Sequence, residues 1–166
     1  IAVCKNQLSQ IGLAATMWSD DNDFWTVSRL WSHPGNGASL SPYTKTSRLD
    51  AQRSFSGLYH CPSLTRDMLE GTSKQSYQNC SYAVNSKSVV GPERRVQLER
   101  NIRGGYKLSH INDPARKVYF AESTKVEFLN NTFSIWSTEG PSRWHPPFHG
   151  IYGKSNIYWF DGHVSI

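Results

Sequence analysis

Cys4-Lys5-Asn6-Gln7-Leu8-Ser9-Gln10-Ile11-Gly12-Leu13-Ala14-Ala15-Thr16-Met17-Trp18 is the stretch on which the fold turns. Cys4, Leu8, Ile11, Ala15 and Trp18 recur at alternating intervals of four and three, which stacks them on one side of a helix. Lys5, Gln7, Ser9, Gln10 and Thr16 fall mostly elsewhere. The spacing predicts an amphipathic helix of about five to six turns at ~3.6 residues per turn. Its opening, Ile1-Ala2-Val3, carries no Ser, Thr or Asp cap and no acidic first turn, so it reads as the cut edge of a longer helix. At the other end, carboxylates in the last turn would face the negative pole of the helix dipole. The helix is therefore expected to stop between Ser19 and Asp21, leaving the acidic run Asp20-Asp21-Asn22-Asp23 in a loop.

A chain of 166 residues is about one domain and can bury roughly two thirds of its unfolded surface. The expected division is residues 1–21 as helix and 22–166 as a loop-rich β body. Aromatic residues make up 13% of the chain, with six Trp and eight Tyr, and many stand in short strand-like runs, which favours a β-rich body with large rings in its core. The net charge of +5 permits an acidic partner without requiring one. Its densest cluster, Arg94-Arg95, Arg100, Arg103 and Lys107, is diluted by Glu93 and Glu99 and reads as a solvated loop, so no nucleic-acid partner is expected. No run approaches the ~18 to 20 apolar residues of a membrane span.

Beyond the helix, Phe24 to Val27 reads as a short extended piece, and residues 32–55 as mostly loop with a helical turn near Leu49 to Phe55. Tyr82-Ala83-Val84 starts a strand, and Glu93 to Asn101 holds a turn or two of helix. Lys117-Val118-Tyr119-Phe120-Ala121-Glu122 is a central strand bounded by turn residues. Glu122, without a partner carboxylate or His at readable spacing, reads as a solvent-facing or ion-paired residue rather than a catalytic acid. Val126 to Leu129 and Thr132 to Trp136 form the arms of a hairpin about Asn130-Asn131. Asn156 to Phe160 is a strand, Asp161-Gly162 a two-residue hairpin turn, and His163 to Ile166 the return strand.

Cys61 and Cys80 enclose a Ser-, Thr-, Gly- and Gln-rich segment, residues 62–79, that cannot pack itself. In an oxidising compartment a disulfide across it would contribute roughly 3 kcal/mol. That pair is the expected structural disulfide, with Cys4 left over. Two buried free thiols or a metal-binding pair are the alternatives, although no Cys-x-x-Cys or ligand-spaced His supports a metal. His145, His149, Asp161 and His163 are metal-ligand types that invite a zinc hydrolase reading. Pro146-Pro147 prevents one helix from presenting both His145 and His149, however, and no His-Glu-x-x-His frame is present. Asp20, Asp21 and Asp23 lack the Gly and closing Glu of a calcium loop. No cofactor, metal or catalytic residue is assigned.

Four stretches carry a family resemblance. The helix segment from Cys4 to Asn22, the Cys61-Pro62-Ser63 turn followed by Ser81-Tyr82-Ala83-Val84-Asn85, and the Pro114 turn leading to Ala121-Glu122 are similar to segments of bacterial type II secretion pseudopilins. The fourth and most specific runs from His149-Gly150 through Asn156 to Asp161-Gly162-His163-Val164. It resembles the C-terminal signature of a prepilin-like group, in which nine residues separate a His from Asp-Gly. Here residues 150–160 intervene, so the match needs a two-residue insertion, most simply Ile151-Tyr152, and His145 competes with His149 for the signature position.

The resemblance implies an α+β, pilin-like fold: a long N-terminal helix packed on a small antiparallel sheet with long loops. It also implies a non-enzymatic subunit of a pilus-like filament, working in protein transport by the general secretion pathway. Such a subunit would face the periplasm or cell surface and be anchored in the inner membrane by a segment upstream of Ile1. Its partners would be other pseudopilin subunits and the secretion machinery. Two other readings are a polysaccharide-binding surface module with stacking Trp and Tyr, and a metal-dependent hydrolase.

Overall fold

A computed structural model describes residues 2–27, 40–45, 57–63, 81–85, 107–122, 132–133 and 155–166. One helix and one sheet organise them. Helix α1 (Ala2–Asp21) buries Cys4, Leu8, Ile11, Ala15 and Trp18, which is the stripe expected from the spacing. Its C-terminus is closed by backbone geometry. The amide of Phe24 donates to the Ser19 carbonyl (2.8 Å), and Asp23 adopts a left-handed conformation at φ +54°, the arrangement of a Schellman cap. Asp20 and Asp21 thus lie within the last turn rather than in loop as expected. Tyr43 compensates in part, its hydroxyl donating to Asp21 Oδ2 (2.8 Å). Tyr43 belongs to α2 (Ser41–Thr44), a single turn started by Pro42 where the sequence reading placed irregular chain.

Among the described residues the sheet has five strands: β1 (Tyr82–Asn85), β2 (Val118–Glu122), β3 (Thr132–Phe133), β4 (Ile157–Trp159) and β5 (Val164–Ser165), in the order β3-β1-β2-β4-β5. Neighbours run antiparallel except β1 and β3, which pair in parallel through Val84 with Thr132 and Asn85 with Phe133. Of the hairpin expected about Asn130-Asn131, only Thr132 and Phe133 are described, and they pair with β1; Val126 to Asn131 and Ser134 to Trp136 lie outside the described residues. The fold is α+β, with β2 central as its β-branched and aromatic run predicts. All five residues of β2 are buried.

Register explains which residues meet the helix. Tyr82 lies opposite Glu122, and Val84 and Tyr158 both lie opposite Phe120, so these five side chains share one face. Tyr82 reaches α1 directly: its hydroxyl donates to Gln7 Oε1 (2.8 Å). The same Gln7 amide donates to the carbonyls of Gly57 (2.8 Å) and His60 (3.0 Å). One side chain on α1 thus fastens both β1 and the 57–63 loop. Tyr158 lies against Gly12, where an added Cβ would fall inside the Tyr158 ring.

A β-bulge interrupts the β2–β4 register between Val118 and Phe120, and bulges re-aim side chains. At this irregularity Tyr119 stacks on Phe160 with centroids 4.0 Å apart, and its hydroxyl accepts the Val27 amide (2.9 Å). Burial drives the Tyr119 phenol well above its ordinary pKa, although its hydrogen bonds with the Val27 amide and the Ser19 side chain pull it down. Residues after the helix are held in turn: of the extended piece expected from Phe24 to Val27, Phe24 belongs to the turn at φ +61° and Trp25 makes one antiparallel bridge to Lys107, whose ammonium lies 5.8 Å from the Trp25 ring centroid. No helix among the described residues is long and apolar enough to cross a membrane.

Candidate functional site

The signature strand and its turn divide into a buried and an exposed part. Asn156, just before β4, is fully buried, as is Glu122 at the end of β2. The Asn156 backbone amide donates to Glu122 Oε2 and its side-chain Nδ2 to Glu122 Oε1, both at 2.8 Å. Of the two expectations for Glu122, solvent-facing or ion-paired, its burial overturns the first. A buried carboxylate must be hydrogen-bonded, and Asn156 supplies two donors in a fork.

The disulfide also differs from expectation. Cys61 pairs with Cys4, with Cα atoms 5.3 Å apart, well inside the range a disulfide spans. Cys80 lies outside the described residues, and Cys61 is no longer available to it. The physical reason is placement. Cys4 sits on the buried stripe of α1, and the 57–63 loop is laid against that stripe by Gln7 and by Ser81, whose Oγ accepts the Cys61 amide (2.8 Å). The only sequence signal for this pair is the place of Cys4 on the core-facing stripe, which a buried free thiol would occupy equally well. Cys4 Sγ, Cys61 Sγ and a Glu122 carboxylate oxygen all lie within 4.8 Å of one another.

On the surface, the hairpin turn is one residue longer than expected. The Gly162 amide donates to the Trp159 carbonyl (3.1 Å), and the Trp159 amide to the His163 carbonyl (3.0 Å). Phe160 and Asp161 occupy the turn, and Gly162, at φ +95°, follows in the left-handed region that favours glycine. This is a three-residue loop with a bulge glycine. Asp161 Oδ1 accepts the His163 amide (3.2 Å) and lies 2.6 Å from His163 Nδ1. The imidazole stacks on Trp159, centroids 5.5 Å apart, while Trp159 Nε1 donates to Ser165 Oγ (2.7 Å). Asp161 and Gly162 thus turn the chain and Asp161 fixes the His163 ring. His145, His149 and Gly150 lie outside the described residues, as does the arginine cluster apart from Lys107.

An oriented His beside a carboxylate is two thirds of a nucleophilic triad. Among the described residues no hydroxyl or thiol hydrogen-bonds the His163 ring. Desolvation acts to raise the Asp161 pKa, but the His163 amide, ring and charge outweigh it and hold the carboxyl below its ordinary value. A depressed carboxylate adds stability above its unfolded-state pKa of about 3.9 and loses it as pH falls through the lower folded value. Asp161→Asn is accordingly expected to flatten the acid limb of stability below about pH 4, measured as urea midpoints across pH. Parallel curves for the two proteins would contradict this account of the turn.

Compared with family models, with curated proteins and with solved structures, the chain matches none.

Proposed function

We propose that this chain is the non-enzymatic structural subunit of a pilus-like filament, of a type II secretion or related system. The observation that carries the reading is the outer side of α1. Val3, Leu13 and Met17 are 57%, 61% and 46% exposed, and at helical spacing they fall within one stripe opposite the face that packs on the sheet. Asn6 and Gln10 lie on the same line between Val3 and Leu13, so this outer face is mixed, and its exposed apolar side chains, Leu13 and Met17 one helical turn apart above all, are where another helix would pack. The four stretches of resemblance supply the class of partner: other subunits of the same kind, together with the secretion machinery.

In this reading the sheet and loops face the periplasm or cell surface, and a segment N-terminal to Ile1 anchors the subunit in the inner membrane. The Asp161-Gly162-His163 turn is a folding device, and contact rather than chemistry is the work of the molecule. The experiment is photocrosslinking in cells that produce the full-length chain, with the crosslinker at position 13 or 17. A ladder of covalent multimers is expected, abolished from position 13 by Met17→Glu. Crosslinks confined to single chains, with Met17→Glu without effect, would overturn the reading.

A further inference from the structure

We propose that, when the Cys4–Cys61 disulfide is reduced, Cys4, Cys61 and Glu122 form a binding site for one zinc ion. Three elements supply the ligands: α1, the 57–63 loop and β2. All three residues are fully buried, and their ligand atoms lie within 4.8 Å of one another. Two thiolates with a carboxylate suit a borderline-soft divalent ion that accepts tetrahedral coordination. Electrostatics argues the same way. Two thiolates would put two negative charges in a dry interior, which a divalent cation offsets.

A second observation stands beside the cluster. Asn156 grips both Glu122 oxygens, as outer-shell groups orient a metal-ligating carboxylate. The Oδ1 of that same amide is buried with no hydrogen-bond partner. Buried acceptors are seldom left so. A water in the fourth position of the zinc would donate to it and complete both the coordination and the amide. This site is internal to a single chain and does not depend on filament assembly.

The chemistry balances with a trialkylphosphine as reductant. The phosphine gives two electrons to the disulfide and takes oxygen from water, the two sulfurs gain two protons, and both protons leave when the metal binds. The test is cobalt titration of the phosphine-reduced Cys80→Ser protein, Co²⁺ standing in for zinc. One equivalent is expected to produce thiolate-to-cobalt charge-transfer bands and tetrahedral ligand-field bands, bleached by one equivalent of Zn²⁺ and absent from the oxidised protein. Asn156→Ala is expected to lower cobalt affinity by about 10- to 100-fold. If reduction unfolds the chain, Zn²⁺ is expected to restore its far-ultraviolet helix signal. The proposal is overturned by a folded, reduced protein without cobalt bands, by an unfolded one that zinc does not refold, or by unchanged affinity in Asn156→Ala.

Discussion

Gly12→Ala is expected to destabilise the protein by up to about 2 kcal/mol, against the usual rule for an exposed helical glycine. Alanine in mid-helix is worth about 1 kcal/mol over glycine from propensity alone. Here the added methyl would occupy the space of the Tyr158 ring, a side chain only 6% exposed. The ring must swing out or the helix must lift from β4, and overpacking of this kind costs about 3 kcal/mol at its upper end. The difference leaves the net loss, which at that upper end corresponds to roughly 4–8 °C in melting temperature for a domain of this size. Tyr158→Ala supplies the control: in that background the same alanine has room, and the double variant should be more stable than Tyr158→Ala alone. A Gly12→Ala protein more stable than the parent would refute the packing described for α1 on β4.

Cys4→Ser is expected to cost about 4 kcal/mol, from the loop-entropy relation applied to a crosslink with a sequence separation of 57. Cys61→Ser should cost the same, and the double variant little more, since each single change already removes the one crosslink. Non-reducing peptide mapping should recover a Cys4–Cys61 peptide. A Cys61–Cys80 peptide, or a Cys4→Ser protein that unfolds at the parent's denaturant midpoint, would return the pairing to the one first expected from the sequence.

That expectation went astray for a reason worth stating physically. A Ser- and Gly-rich loop between two cysteines is a local pattern, and it favours the local pair. What decides the pair is where the chain is delivered in space, and Gln7 and Ser81, far apart in sequence, make that delivery. The same distinction runs through the fold. The α1 stripe, the β2 run and the β4–β5 hairpin were legible because each is written in consecutive residues with one period. Glu122 was not, because its burial depends on Asn156, which lies opposite it only after β2 and β4 have paired. The parallel β1–β3 contact is likewise not written in consecutive residues, and the α2 turn at Pro42 is masked by the turn formers and polar residues around it. At the signature, Asp161-Gly162 does turn the chain, but the glycine stands one place later in the loop than a two-residue turn allows, and His163, expected in the return strand, precedes it.

Cys4 and Gly12 pin α1 to the rest of the molecule at two points eight residues apart, about 12 Å along the axis. The first pin is covalent, to the 57–63 loop, and the second is the Tyr158 ring of β4 seated in the notch at Gly12, so together they resist sliding and rolling of the rod. A tensile or twisting load applied to the helix is therefore passed to the β strands as to one rigid part, and the body follows wherever the helix is drawn.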